Sequence, residues 1–476
     1  MRGQIKANFF PIVLCLSFFG FWLVLLFYKY SHFNYYDWDL AFFAQAMWNL
    51  CHGSSYVSIF DLCFFANHAN VIAFFLVPLY KIFPHPMTLV VLKLLSWTAG
   101  GYVLYLIAKE HLGAAAGTIF LLLFFFYPAN IFGMIYEFDF EALAVVFLVL
   151  MYYGFVKERW ALFLISSCIV ILTKENLPLI VFAFGIYGFF VKKDKLKWGL
   201  VPAFLGAASF LFLTQVFVPW MGGNPIGQHP YIGHYKEFGS SLPQVATGIM
   251  THPIKVWQTM DTPLNARWFF STMGQFGLLP FLSPQILGLI LPIALQHLFS
   301  SAWQQHSIYY GYALTLAPFI FLAAIQGMVF IKRRFHRISY RVIFCILIMT
   351  AGLSLGYHLD GIRRRYLPRP EIPSDQVNGM IQKIPENAGV IASFHFLANL
   401  SQREDLYAFY KVYRQAYAPF KIPSRVKYAL IDLDDPWLLD SSDSELRLKR
   451  KDINAFFKHQ HWVAKDHYGS ITLYQR

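Results

Sequence analysis

The chain has 476 residues, of which 57% are hydrophobic and only 14% charged; a soluble protein carries about 25% charged residues, which excludes a wholly soluble fold. Its Phe (50) and Tyr (28) are abundant, as suits lipid-facing surfaces and interfacial belts. The formal charge of +13 sits in short loops between apolar runs and in the tail, where topology signals and anionic headgroups explain it better than nucleic acid does.

Arg2 and Lys6 precede an apolar run from about Asn8 to Tyr28, and no small-residue cleavage site follows. The run therefore reads as a first anchor and not as a removed signal peptide. Residues 30–87 form a large first outer loop. Asp37-Trp38-Asp39 opens an apolar helical stretch there. One reading is helix capping, in which an acidic residue satisfies free amides at a helix N-terminus. The other makes one aspartate a general base that takes a proton from an attacking hydroxyl. His68, near Asp61, binds a metal or the substrate, or is a satisfied interfacial histidine. Cys51 and Cys63 are either free or a disulfide in an oxidising compartment; Cys15, Cys168 and Cys345 fall within apolar runs. The apolar stretch 68–84 is interrupted by Pro78 and Lys81 and is expected to lie along the membrane surface without crossing.

A spanning helix needs about 20 apolar residues. Spans are expected near 9–29, 88–108, 114–134, 140–157, 160–175, 177–191, 198–219, 268–282, 285–300, 311–331 and 340–357, about eleven in all. With 68–84 left uncrossed, the clusters Lys109/His111, Lys157/Arg159, Lys192/Lys193/Lys195/Lys197 and Lys332/Arg333/Arg334/Arg337 share one side. Basic loops stay in the cytoplasm, so the acidic clusters at the opposite span ends face outward. Charges at that depth are costly and usually functional.

Glu137, Asp139 and Glu141 place three carboxylates in five residues. They form an acidic ledge or hard-cation site in an extended segment, or a hydrated turn. Lys174 beside Glu175 is either a neutralised pair at a helix break or a point charge for a phosphate; Pro178 fits the first turn of the helix that follows. Residues 220–266 are rich in Gly, Pro and His and too long for a connector, which makes them a candidate flexible substrate loop. Arg267, before Trp268, is an interfacial anchor or a phosphate ligand with a fork of donors.

After about residue 358 the composition turns polar. Arg363, Arg364 and Arg365 precede Pro368, Pro370 and Pro373, a stiff linker. Strands are expected at 390–393, 428–432 and 462–475 with helices between, and Asp432, Asp434 and Asp435 read as a turn. The division is thus 1–357, an all-α polytopic membrane domain, and 358–476, a small extracytoplasmic α/β domain.

On these residues the chain resembles the GT-C superfamily of polytopic glycosyltransferases, which carry acidic motifs in their first two outer loops and use sugars linked to polyprenyl or dolichyl phosphate. It is most similar to a prokaryotic predicted-membrane-protein family, defined by a domain of unknown function, within that group. The matching segments are DLAFFAQAMWNLCHG (39–53), ANHANVIAFFLVPLYKIFP (66–84), YEFDFEALAV (136–145), LTKENLPLIV (172–181), LLPFLSPQILGLILP (278–292) and IPENAGVIASFHFLANLSQREDLY (384–407). The resemblance aligns Asp39, in preference to Asp37, with the catalytic base, and His68 with the family's histidine. Ala44 stands where the family often has a second aspartate, and Asp139 where it often has histidine.

The resemblance implies an inverting membrane glycosyltransferase at the outer face of the plasma membrane. It would take a polyprenyl-phosphate-linked sugar and a glycan, lipid or protein acceptor, with Lys174 and Arg267 near the departing phosphate. Asp39, Glu137 and Asp139 are the expected ligands of any Mg²⁺ or Mn²⁺. The alternatives are a lipid or glycan transporter or flippase, in which the same charges line a path, and a non-catalytic lipid-glycan-binding scaffold.

Overall fold

The computed structural model describes residues 2–35, 38–335, 339–366, 372–409, 422–435 and 450–476. Asp37, Arg337, Pro368 and Pro370 lie outside the described residues. Contacts divide the chain into two compact units, one of residues 1–23, 65–72 and 92–365, the other of residues 24–64, 73–91 and 366–476.

Among the described residues, four helices are long and apolar enough to cross a membrane: Asn8–Ser31, Pro86–Leu112, Leu196–Met221 and Tyr340–Tyr366. The helices Ala114–Phe125 and Pro128–Ile135 together make a fifth candidate, bent by 48°, because Pro128 cannot continue the first helix. Shorter apolar helices cover Glu141–Val156, Trp160–Thr173, Pro178–Val191 and Pro284–Phe299. The helix Ile72–Ile82 extends for about 16 Å, roughly half of a hydrocarbon core, in keeping with a surface-lying segment.

In the first unit, Pro178–Val191 packs on Val201–Phe212. Small residues allow the approach: a Cβ on Gly188 would stand 1.9 Å from the Trp198 carbonyl oxygen, and one on Gly206 2.4 Å from the Phe182 nitrogen. This is the small-residue packing that membrane helices use. Two expectations change here. The helix carrying Arg267 runs from Pro263 to Met273 and is followed by 3₁₀ turns at Gly274–Phe276 and Leu279–Leu282. Gly277 at φ +56° and Pro280 keep it from continuing to residue 282 as one helix. The stretch 220–266 is ordered by a 3₁₀ turn, Ile232–Tyr235, and two helices, Leu242–Thr251 and Pro253–Met260. Phe238 and Val245 pack there against Phe299.

The second unit holds a two-stranded ribbon, β1 (Tyr56–Val57) with β2 (Leu62–Cys63), and a five-stranded sheet. The strands of the sheet are β3 (Gly389–Ala392), β4 (Leu406–Ala408), β5 (Val426–Asp432), β6 (Val463–Tyr468) and β7 (Ile471–Gln475), in the order β4-β3-β5-β7-β6. The pairs β3–β4 and β3–β5 are parallel, while β5–β7 and β6–β7 are antiparallel. Sheet and helix bury a core around Ile391, Phe409, Ile431, Ile453, Phe457 and Tyr474. The turn at Asp432 closes locally, with the Asp434 amide donating to Asp432 Oδ1 at 2.9 Å.

The helix Asp39–Cys51 belongs to this unit and packs on the helix Phe394–Leu400. Gln45 Nε2 donates to the carbonyls of Arg403 and Glu404, each at 3.0 Å, and the Leu406 amide donates to Ser58 Oγ at 2.8 Å. These bonds join the first loop to the C-terminal sheet. Cys51 and Cys63 are free thiols.

Candidate functional site

The first unit contains a cavity of about 420 Å³. Its walls come from segments distant in sequence: the start of Glu141–Val156, the break at 174–177, His68, and the 229–235 stretch. Lys174 and Glu175 lie between the helices Trp160–Thr173 and Pro178–Val191. Both side chains are about 5% exposed, a depth at which unpaired charge is costly.

Each finds a partner, and the two do not pair with each other. Lys174 Nζ is 3.1 Å from Asp139 Oδ2 and also binds Glu141 Oε1. Glu175 is met by His68 Nδ1 on Oε1 at 2.8 Å and by the Ala69 amide on Oε2 at 3.0 Å. His229 Nε2 stands 3.7 Å from Glu175 Oε1. Burial pushes His229 down, against the pull of Glu175.

Local structure places these groups. The Asp139 carboxylate accepts from the Glu141 amide at 3.0 Å and so fixes the turn before its helix. His68 stacks on Tyr231, whose hydroxyl donates to Asn67 Oδ1. A π-helical turn at Leu213–Phe217 puts Thr214 and Gln215 on the wall; such turns recur at functional sites. Its Gln215 carbonyl accepts from the Gly227 amide at 2.7 Å, pinning the 229–235 stretch.

The structure therefore brings together His68, Asp139, Glu141, Lys174 and Glu175. Glu137 is buried and lines a small hollow beside Asp139 and Glu141. Arg267 is exposed on its helix and does not line the cavity. Asp39 is the first residue of Asp39–Cys51, half-buried in the second unit, and Asp37 lies outside the described residues. Asp61 accepts from the Tyr56 hydroxyl at 2.6 Å.

His229, His234 and Lys93 were not singled out by sequence. The imidazole atoms His229 Nε2 and His234 Nδ1 are buried without a hydrogen-bond partner among the described residues, and both residues line the cavity. Only the density of histidines in 220–266 pointed to them. Lys93 is 1% exposed and donates to the carbonyls of Gly133 (3.1 Å), Met134 (3.0 Å), Tyr136 (2.7 Å) and Glu137 (2.6 Å). It thereby supports the turn that presents Asp139. A lone lysine inside an apolar run was its signal.

Among the described residues no three His, Cys, Asp or Glu side chains gather as metal ligands. The Lys174 ammonium lies between Asp139 and Glu141 and pairs with both.

No curated protein matches the chain. Its fold is shared with the crystal structure of ArnT from Cupriavidus metallidurans bound to undecaprenyl phosphate, at TM-score 0.54 and 13% identity over 99% of this chain and 98% of that one. The apo form of the same ArnT gives 0.46 and 12% over 95% and 96%. The first likeness is one of fold. The family described as predicted membrane protein (DUF2079) matches residues 29–466, and the chain belongs to that family.

Proposed function

We propose that this membrane protein is a glycosyltransferase of the GT-C kind, moving a sugar from a polyprenyl-phosphate carrier to an acceptor hydroxyl. The observation that carries the reading is the buried cavity with Glu141, Lys174 and Glu175 on its wall and Asp139 paired to Lys174 behind it, in a fold shared with a structure that holds undecaprenyl phosphate. The wider assignment is about eleven crossings, the N-terminus in the cytoplasm, and residues 358–476 outside the plasma membrane.

Charge assigns the ends of the donor. One ammonium faces two carboxylates at Lys174, and Glu175 adds another, so carboxylates outnumber the ammonium in this cluster. A negative wall suits the oxocarbenium-like charge that develops on a sugar during transfer. The phosphate is left the third proton of Lys174, which the pairs with Asp139 and Glu141 do not use, and Arg267 remains a candidate on the exposed face. His229 Nε2 and His234 Nδ1 offer hydrogen bonds to sugar hydroxyls.

In the step itself the acceptor O–H gives its proton to a carboxylate base, the role that the family resemblance aligns with Asp39; the acceptor oxygen bonds to the anomeric carbon, and the carbon–oxygen bond to phosphate breaks with inversion. The electron pair leaves on the lipid phosphate. No step passes through a metal.

The test is release of polyprenyl phosphate from a labelled polyprenyl-phosphate sugar by purified protein. Asp39→Asn keeps size and helix position but takes up no proton, so turnover is expected to fall by at least about 100-fold, with donor binding kept and Asp37→Asn much milder. Equal small losses in both variants reject Asp39 as base. Donor binding without cleavage in the wild type supports the transporter or scaffold reading instead.

A further inference from the structure

A second hollow, of about 500 Å³, lies in the first unit where three helix ends meet, lined by His111, Val329, Lys332, Arg333 and Tyr340. His111 is in the last turn of Pro86–Leu112, Lys332 and Arg333 are in the last turn of Ala317–Arg334, and Tyr340 opens Tyr340–Tyr366. Two of these helices are long and apolar enough to span, so the hollow sits where a span gives way to its polar end. That is the headgroup level of a bilayer, where tyrosines concentrate.

Lys332 and Arg333 are exposed, and Lys332 Nζ is 5.9 Å from the centroid of the Tyr340 ring. Among the described residues, neither cation has a carboxylate within ion-pair distance. Glu110, the acid next to His111, is bound by Lys157. The sequence from 331 to 341 holds six Lys, Arg or His residues, Lys332 and Arg333 among them, and no acid. A cation at a helix C-terminus is stabilised by the helix dipole, and positive loops set topology. Those effects explain the charges but not a hollow walled by them with an apolar floor at Val329.

We propose that this hollow binds the phosphate of an anionic phospholipid headgroup between Lys332 and Arg333. The guanidinium suits a phosphate through paired donors and the ammonium adds a point charge. A free phosphate shares that chemistry. The lipid is favoured because Phe330 and Val342, next to the site in sequence, are 45% and 56% exposed and offer apolar surface to acyl chains.

The experiment is native mass spectrometry of the full chain in detergent, titrated with phosphatidylglycerol, phosphatidylcholine or inorganic phosphate. Phosphatidylglycerol is expected to bind preferentially, and Lys332→Gln/Arg333→Gln to weaken it about tenfold. Lys193→Gln/Lys195→Gln removes the same charge at another helix end and is expected to leave binding unchanged. Equal binding of phosphatidylcholine, an equal loss in the control, or competition by millimolar inorganic phosphate overturns the proposal. If the double variant does not fold, the exposed Lys332→Gln alone is read, and full retention of phosphatidylglycerol overturns it. None of these outcomes depends on sugar transfer.

Discussion

Glu175 is a buried carboxylate held by His68, the Ala69 amide and the nearby His229, and the acid–base behaviour of His229 sets a pH limit on the fold. His229 is depressed below 6.5 by burial. The unfolded chain then takes up its proton first, and stability declines as pH falls below 6.5. The thermal midpoint in detergent is therefore expected to drop from pH 7 to 5, and less steeply in His229→Gln. An unchanged slope in that variant contradicts the assignment. The sequence showed Asp139, Glu141, Lys174 and Glu175 as charges at span ends. It did not show that Lys174 pairs with Asp139 and Glu141 and Glu175 with His68, because those pairings depend on which helix ends meet. Pairing by sequence neighbour, Lys174 with Glu175, was the natural reading and does not occur.

At the scale of elements, apolar length was legible and continuity was not. The helices Pro86–Leu112 and Tyr340–Tyr366 follow their apolar runs, whereas the run at 268–282 breaks at Met273 because glycine and proline outweigh its hydrophobicity. Strand β4 was missed because three residues between loops carry no alternation to read. Close packing of Pro178–Val191 gives a sharp test. Gly188→Ala would drive a Cβ into the Trp198 carbonyl oxygen, a backbone atom that cannot rotate away. It is expected to destabilise the protein by about 1–3 kcal/mol or more, read as a lowered thermal midpoint. Gly20→Ala, with open space around its Cβ position, is expected to be neutral or slightly stabilising. Equal effects would mean that the helix contact is looser than described.

At the scale of the whole molecule, the proposed orientation puts the basic span ends in the cytoplasm and the C-terminal sheet outside. With the five native cysteines replaced, an impermeant maleimide added to intact cells is expected to label Lys465→Cys, exposed on β6, and to spare Arg334→Cys. The reverse pattern would overturn the orientation and the outward-facing site together. The central claim is that the buried cavity receives a lipid-phosphate-linked sugar. The most direct measurement is an experimental structure of the protein with a polyprenyl-phosphate sugar. The account predicts density for the sugar against Glu141 and Glu175, with the phosphate reaching Lys174. Ligand density confined to another surface, with the cavity empty at saturating donor, would contradict it.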